Sequence, residues 1–121
     1  MNNMKRALTR WLIRFLLRRA PIARIDFPRL NRSYLVLDEE TGWAPSHVGG
    51  TPMPEQAGNC ILQFAEFNEI QLGDEIVLQP RNGQPLRYRV RGQVAHDRVM
   101  RTSTRMLTLV TARYAIVATP A

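Results

Sequence analysis

The chain is 121 residues long and 45% hydrophobic, enough for one domain with a single modest core and too short for two. It shows no low-complexity tract or internal repeat, and its one cysteine, Cys60, excludes an internal disulfide. The net charge of +7 sits at one end: residues 1–32 carry nine basic side chains against Asp26, whereas residues 33–121 carry eight against nine acids. That distribution argues against a nucleic-acid-binding domain, which would want a basic stripe across its binding face.

Met4–Ala20 reads as a helix stopped by Pro21, because the residue before a proline disfavours the α region. Leu8, Trp11, Leu12, Phe15 and Leu16 fall on one apolar face, and Arg6, Arg10, Arg14 and Arg18 recur every four residues along another. The longest uncharged apolar run is three residues, far below the roughly twenty that a membrane-spanning helix needs. Arg14 also interrupts any secretory h-region, and no small-residue cleavage site follows. Three roles stay open for residues 4–20, one of them an appended partner-binding helix. The apolar face packs on the rest of the domain, or the helix lies on an anionic membrane surface with Trp11 and Phe15 inserted and Arg10, Arg14 and Arg18 at the headgroups.

Beyond Pro21 the pattern turns to short β-runs. Strands are predicted at Ile22–Phe27, Ser33–Asp38, Cys60–Phe64, Glu75–Gln79, Leu86–Ala95, Arg105–Thr111 and Arg113–Thr119, with a long Gly- and Pro-rich loop over Glu39–Asn59. Asn82-Gly83 predicts a tight hairpin with positive φ. In Leu86–Ala95, Arg87, Arg89 and Arg91 alternate outward against Tyr88 and Val90. Ala112-Arg113 leaves only two residues between the last two runs, without the Gly or Asn that such a turn prefers. Seven or eight short strands beside one amphipathic helix make residues 21–121 an all-β barrel or sandwich, preceded by residues 1–20 as a separate basic helix.

Several blocks, in order, resemble one family. Leu107–Ala121 (LTLVTARYAIVATPA) resembles the TLxTC strand of the sortases, the cysteine transpeptidases of bacterial surfaces, followed by their Arg-led last strand. Pro21–Leu30, Pro45–Asn59, Leu72–Leu78 and Leu86–Gly92 resemble further blocks of the proteobacterial subgroup. The resemblance implies a sortase-like β-barrel of seven to eight strands over residues 21–121. It also implies chemistry in which a Cys thiolate attacks a threonyl carbonyl, a His moves the leaving-group proton, and an Arg steadies the oxyanion or the substrate. Carried over residue by residue, the Arg is Arg113, with Thr111 beside it as a candidate binding residue. The Cys position is Ala112 and the His position, counted from Gly58-Asn59, is Ala65. The loops after both positions are short.

The remaining chemical residues read as structural. Cys60 points to the face opposite residue 65, about 16 Å along the strand from it at ~3.3 Å per residue, and reads as an inert core thiol. His47 reads as a loop-packing or turn residue, and His96 beside Asp97 has a faint acid–base look without a nucleophile. Asp38, Glu39, Glu40 and Asp74-Glu75 read as turn residues, so no metal and no cofactor is expected. The leading expectation is a barrel that has lost transpeptidase activity, binds a peptide or surface-protein ligand, and sits at the inner membrane, on the extracytoplasmic side by family resemblance. The alternatives are a transpeptidase or hydrolase using a non-standard residue such as Cys60, a small barrel binding nucleic acid through its arm, and a decayed relative with no function.

Overall fold

The computed structural model describes residues 21–98 and 101–121. The amphipathic helix expected over residues 4–20, with Arg10, Trp11, Arg14, Phe15 and Arg18, lies outside the described residues.

Eight strands form one sheet: β1 (Ala23–Phe27), β2 (Arg32–Val36), β3 (Ser46–His47), β4 (Asn59–Gln63), β5 (Glu75–Pro80), β6 (Leu86–Val94), β7 (Met106–Val110) and β8 (Ala115–Pro120). Their order is β2-β1-β5-β6-β8-β7-β4-β3. The sheet curls until its ends meet. Leu37, just past β2, bridges Ser46 of β3 in parallel, donating its N–H to the Pro45 carbonyl at 2.9 Å and accepting from the His47 N–H at 2.8 Å. The result is the all-β, nearly closed barrel that the strand pattern and the resemblance implied. All neighbouring strands are antiparallel except β4 and β7.

Alternation fills the barrel. Ala23, Ile25 and Phe27 of β1, Ile76 and Leu78 of β5, Tyr88 and Val90 of β6, Leu107 and Leu109 of β7, and Ile116 and Ala118 of β8 all point inward, while Arg87, Arg89 and Arg91 are exposed. A fully buried aliphatic side chain of this kind stabilises the fold by about 1.5–3 kcal/mol. In β6 the register slips by one between Val90 and Gly92. This bulge at Arg91 bends the strand around the barrel.

Three expectations need correction. The segment predicted as a long loop contains β3, whose two residues are strand only because β4 and Leu37 flank them. Asn82 and Gly83 do turn the β5–β6 hairpin, yet neither has positive φ. β5 runs on to pair Pro80 with Ala23 of β1, so the hairpin opens into a wider loop held by the Gln79 side chain, which donates to the Gly83 carbonyl at 2.7 Å. Finally, β8 begins at Ala115, leaving Arg113 in the preceding turn.

The segment from Phe64 to Asp74 closes one end of the barrel. Phe64 and Phe67 stack edge-on at 5.4 Å and meet Tyr34 at 5.5 and 6.0 Å, with Phe27 5.7 Å from Phe67. Two arginines pin the segment from outside. Arg32 reaches Asn68 Oδ1 at 3.0 Å and Glu69 Oε2 at 3.1 Å. Arg29 grips the buried Asp74 carboxylate from both sides, Nε to Oδ1 at 2.6 Å and Nη2 to Oδ2 at 3.0 Å, and also donates to the Glu69 carbonyl. The Gln71 N–H adds a third donor to Oδ2 at 2.8 Å.

The Arg29 hydrogen bonds hold the Asp74 carboxyl below its usual range, aided by the Gln71 N–H and against the opposing effect of burial. A depressed carboxylate adds stability above its unfolded value of about 3.9, and that stability disappears as pH falls through the folded value. An Asp74→Asn variant should therefore unfold at lower urea than wild type at neutral pH, with the two curves converging as pH falls through the depressed folded value. A gap that stays constant with pH would show that the carboxylate charge is not what holds this segment.

Candidate functional site

β4 and β7 run parallel in a register that pairs Asn59 with Met106, Ile61 with Thr108 and Gln63 with Val110. The pairing continues one step, with the Phe64 N–H donating to the Val110 carbonyl at 3.0 Å. The next outward-facing residues on the two strands are Ala65 and Ala112. Both line one cavity of about 210 Å³, together with Gln63, Val110 and Thr111 on the strands and Glu40, Ala44 and Ser46 from the other wall. The two alanines that sequence reasoning set at the positions of a nucleophile and an acid thus share a cavity, whose lining among the described residues holds neither Cys nor His.

The turn beyond them solves a local problem. Ala112 and Arg113 form a two-residue connection without positive φ, so the backbone cannot adopt the twisted turn that Gly or Asn would allow. The Thr111 hydroxyl replaces it. It accepts from the Arg113 and Tyr114 N–H groups, both at 3.2 Å, and donates to the Tyr114 carbonyl at 3.0 Å, while the Thr111 N–H reaches that same carbonyl at 2.9 Å. Side-chain bonding of this kind is the usual alternative when the backbone cannot close a turn alone. Thr111, a candidate binding residue in the sequence, has its hydroxyl committed to the turn.

Arg113 is exposed; its backbone N–H is tied to Thr111, and its guanidinium has no partner among the described residues. His96, in a one-turn helix at His96–Arg98, donates from Nε2 to the same Tyr114 carbonyl at 3.1 Å and so braces the outside of the turn. His47 is in β3, not in a loop. Its Nε2 lies 3.0 Å from both the Pro52 carbonyl and Thr51 Oγ1. The carbonyl can only accept, which places the proton on Nε2, and the ring holds the 47–52 turn together. Cys60 belongs to the core cluster, and burial pushes its thiol up to about 12. Among the described residues no group of three His, Cys, Asp or Glu side chains could hold a metal. None of their helices is long and apolar enough to cross a membrane.

The same strand face carries a second cavity, of about 550 Å³, lined by Asn59 and Ile61 of β4, the Gly49–Pro52 turn, Arg101 and Thr102. Sequence reasoning did not single out its charged residue, Arg101, because only the fold brings it to β4. Gly58 is what lets the walls meet there. It has φ +110, and a Cβ at that position would fall 2.7 Å from Pro52 Cγ and 3.3 Å from the Thr102 carbonyl. Beneath, the buried Thr108 hydroxyl donates to Asn59 Oδ1 at 2.8 Å. Two sequence blocks that looked independent, the Gly58-Asn59 pair and the Thr108-Leu109 strand, meet in that one bond.

Among solved structures, the chain superposes on a Clostridium perfringens sortase D5 transpeptidase with TM-score 0.69 and 18% identity, covering 83% of this chain and 78% of that one. Sortase E of Streptomyces avermitilis gives 0.66 and 21%, over 84% and 88%. The chain has the sortase fold. Sortase E1 of Streptomyces coelicolor, solved with a tripeptide in its active site, matches with TM-score 0.62 and 16% identity over 81% and 85%. No protein-family model and no curated protein sequence matches the chain. Identities this low establish the fold, so the chemistry of this sortase-like barrel has to be argued from its own residues.

Thr111→Val keeps the side-chain shape and deletes the hydroxyl. It should lower stability by about 1–2 kcal/mol in urea titration, and Thr111→Ser should recover most of the loss. Equal losses in both variants would remove the hydroxyl from the account of the turn.

Proposed function

We propose that this sortase-like barrel has lost transpeptidase activity and works as a peptide-binding or accessory protein at the inner membrane. The observation that carries the reading is the shared cavity of Ala65 and Ala112. Acyl transfer by this fold needs a thiolate and a proton donor facing one reacting carbonyl. Methyl groups stand at both positions, and neither can move a proton or form a thioester. Arg113 alone could bind a carbonyl or carboxylate, and without the other two it cannot drive the reaction.

Cys60 is a poor replacement nucleophile. It faces the core on the opposite side of β4 from Ala65, and a thiol pushed up to about 12 is almost entirely protonated at neutral pH. In favour of a retained binding role, both cavities lie along one strand face, and a solved sortase E1 of the same fold holds a tripeptide in its active site. The near-neutral charge of residues 33–121 counts against a nucleic-acid site on the barrel itself.

Incubation with a sorting-signal peptide and hydroxylamine, which captures any thioacyl intermediate as a hydroxamate, should give no product above background. Turnover that disappears in Cys60→Ala would overturn the inactive reading. The membrane part rests on the arginine and aromatic pattern of residues 4–20. The full chain should float with vesicles containing anionic lipid and not with neutral ones. Arg10, Arg14 and Arg18 changed together to Gln should abolish flotation, and flotation untouched by that change would sink the membrane assignment.

A further inference from the structure

We propose that the strand face joining the two cavities is an electrically polarised groove. It takes an extended peptide by two opposite charges, a Lys or Arg side chain in the cavity at Ala65 and Ala112 and an acidic group about four residues away at Arg101. The proposal rests on the peptide-binding reading above and gives the ligand a charge pattern.

Asn59, Ile61, Gln63 and Ala65 alternate with the inward Cys60, Leu62 and Phe64, so they share the outer face of β4. The larger cavity covers Asn59 and Ile61, and the smaller covers Gln63 and Ala65. The two are therefore centred about four residues, or ~13 Å, apart, the span of four residues in an extended peptide laid along the strand. Among the described residues each cavity has one charged residue in its lining, and the signs are opposite: Glu40 in the smaller and Arg101 in the larger. Neither makes an ion pair among the described residues.

A second observation at the smaller cavity points the same way. Ser46 is 1% exposed, and its hydroxyl has no hydrogen-bond partner among the described residues. Ser46 pairs directly with Gln63 across β3 and β4, and directly opposed residues point to the same face, so its side chain is on the cavity side. A buried hydroxyl left unpaired costs about 1–3 kcal/mol, a cost that an incoming donor removes.

The walls identify that donor. Ala44, Ala65, Val110 and Ala112 suit an aliphatic stem, while Glu40 and the Ser46 hydroxyl suit a cationic tip. An apolar stem ending in a cation is the chemistry of Lys and Arg. At about 210 Å³ the cavity is below the ~300–1,000 Å³ of small-molecule sites and fits a single side chain.

The test is fluorescence anisotropy at low salt, using the full chain and labelled neutral peptides that carry two residues four positions apart. The pairs are Lys with Glu in both orders, Lys with Lys, Glu with Glu, and Gln with Gln. At least one Lys/Glu peptide should bind about tenfold tighter than the Gln/Gln peptide. Glu40→Lys should shift the preference to the Glu/Glu peptide, and Arg101→Glu to the Lys/Lys peptide. Ser46→Ala should weaken the Lys/Glu peptide several-fold, leave the Gln/Gln peptide unchanged, and keep or raise the melting temperature. Peptides that bind irrespective of charge, or a ranking unmoved by both charge reversals, would overturn the polarised groove while leaving peptide binding intact. Absence of binding by every peptide would overturn both.

Discussion

A parallel pair such as β4 and β7 cannot be joined by a tight hairpin, because its strands start from the same end. The chain must leave β4, build the β5–β6 hairpin on the far side of the barrel, and return into β7 before the two can pair. Everything at the site depends on the register of that late, non-local contact. With Asn59 opposite Met106 and Gln63 opposite Val110, the two strands end together and Ala65 and Ala112 emerge side by side. A slip of one residue would turn each outward side chain into the core. The buried bond from Thr108 to Asn59 opposes such a slip, because a shifted register would strand both polar groups away from water. Gly58 supports the same register from behind, since only a residue without Cβ lets Pro52 and Thr102 approach the start of β4.

Past that register the chain takes the short way at both strand ends. After β4, the aromatic group of Phe64, Phe67, Tyr34 and Phe27 seals the barrel, with each edge-on pair contributing about 0.5–1.5 kcal/mol beyond its buried area. After β7, two residues and one hydroxyl make the turn. Short loops lose less entropy on closure than long ones.

The sequence showed the parts that depend on period and composition. Alternating residues located seven of the eight strands, and the Arg87-Arg89-Arg91 row faced solvent as expected. What was hidden depended on partners distant in the chain. Two residues cannot display a period, so Ser46 and His47 became strand only through β4 and Leu37. Asn82-Gly83 suggested a tight turn because the pull of β1 on Pro80 is invisible locally. Thr111 matched a motif residue, and nothing in the motif said that its hydroxyl would stand in for a glycine. Glu40 and Arg101, sixty-one positions apart in number, acquired meaning only when the fold set them over one strand.

The orphan hydroxyls bear on whether this barrel is merely a remnant. Thr41, Ser46 and Tyr88 are the buried side-chain groups without partners among the described residues. Tyr88 fills the core, and its ring contributes to packing whatever its hydroxyl does. Ser46 has no such compensation. Alanine in its place would keep the backbone bonds of β3 and remove an unpaired polar atom, so folding alone favours alanine there. Among the described residues, Ser46 thus carries a cost to folding beside the cavity of Ala65 and Ala112, which fits the binding role proposed above. Stability and binding then make opposite demands on residue 46, and the serine is the residue that binding would select.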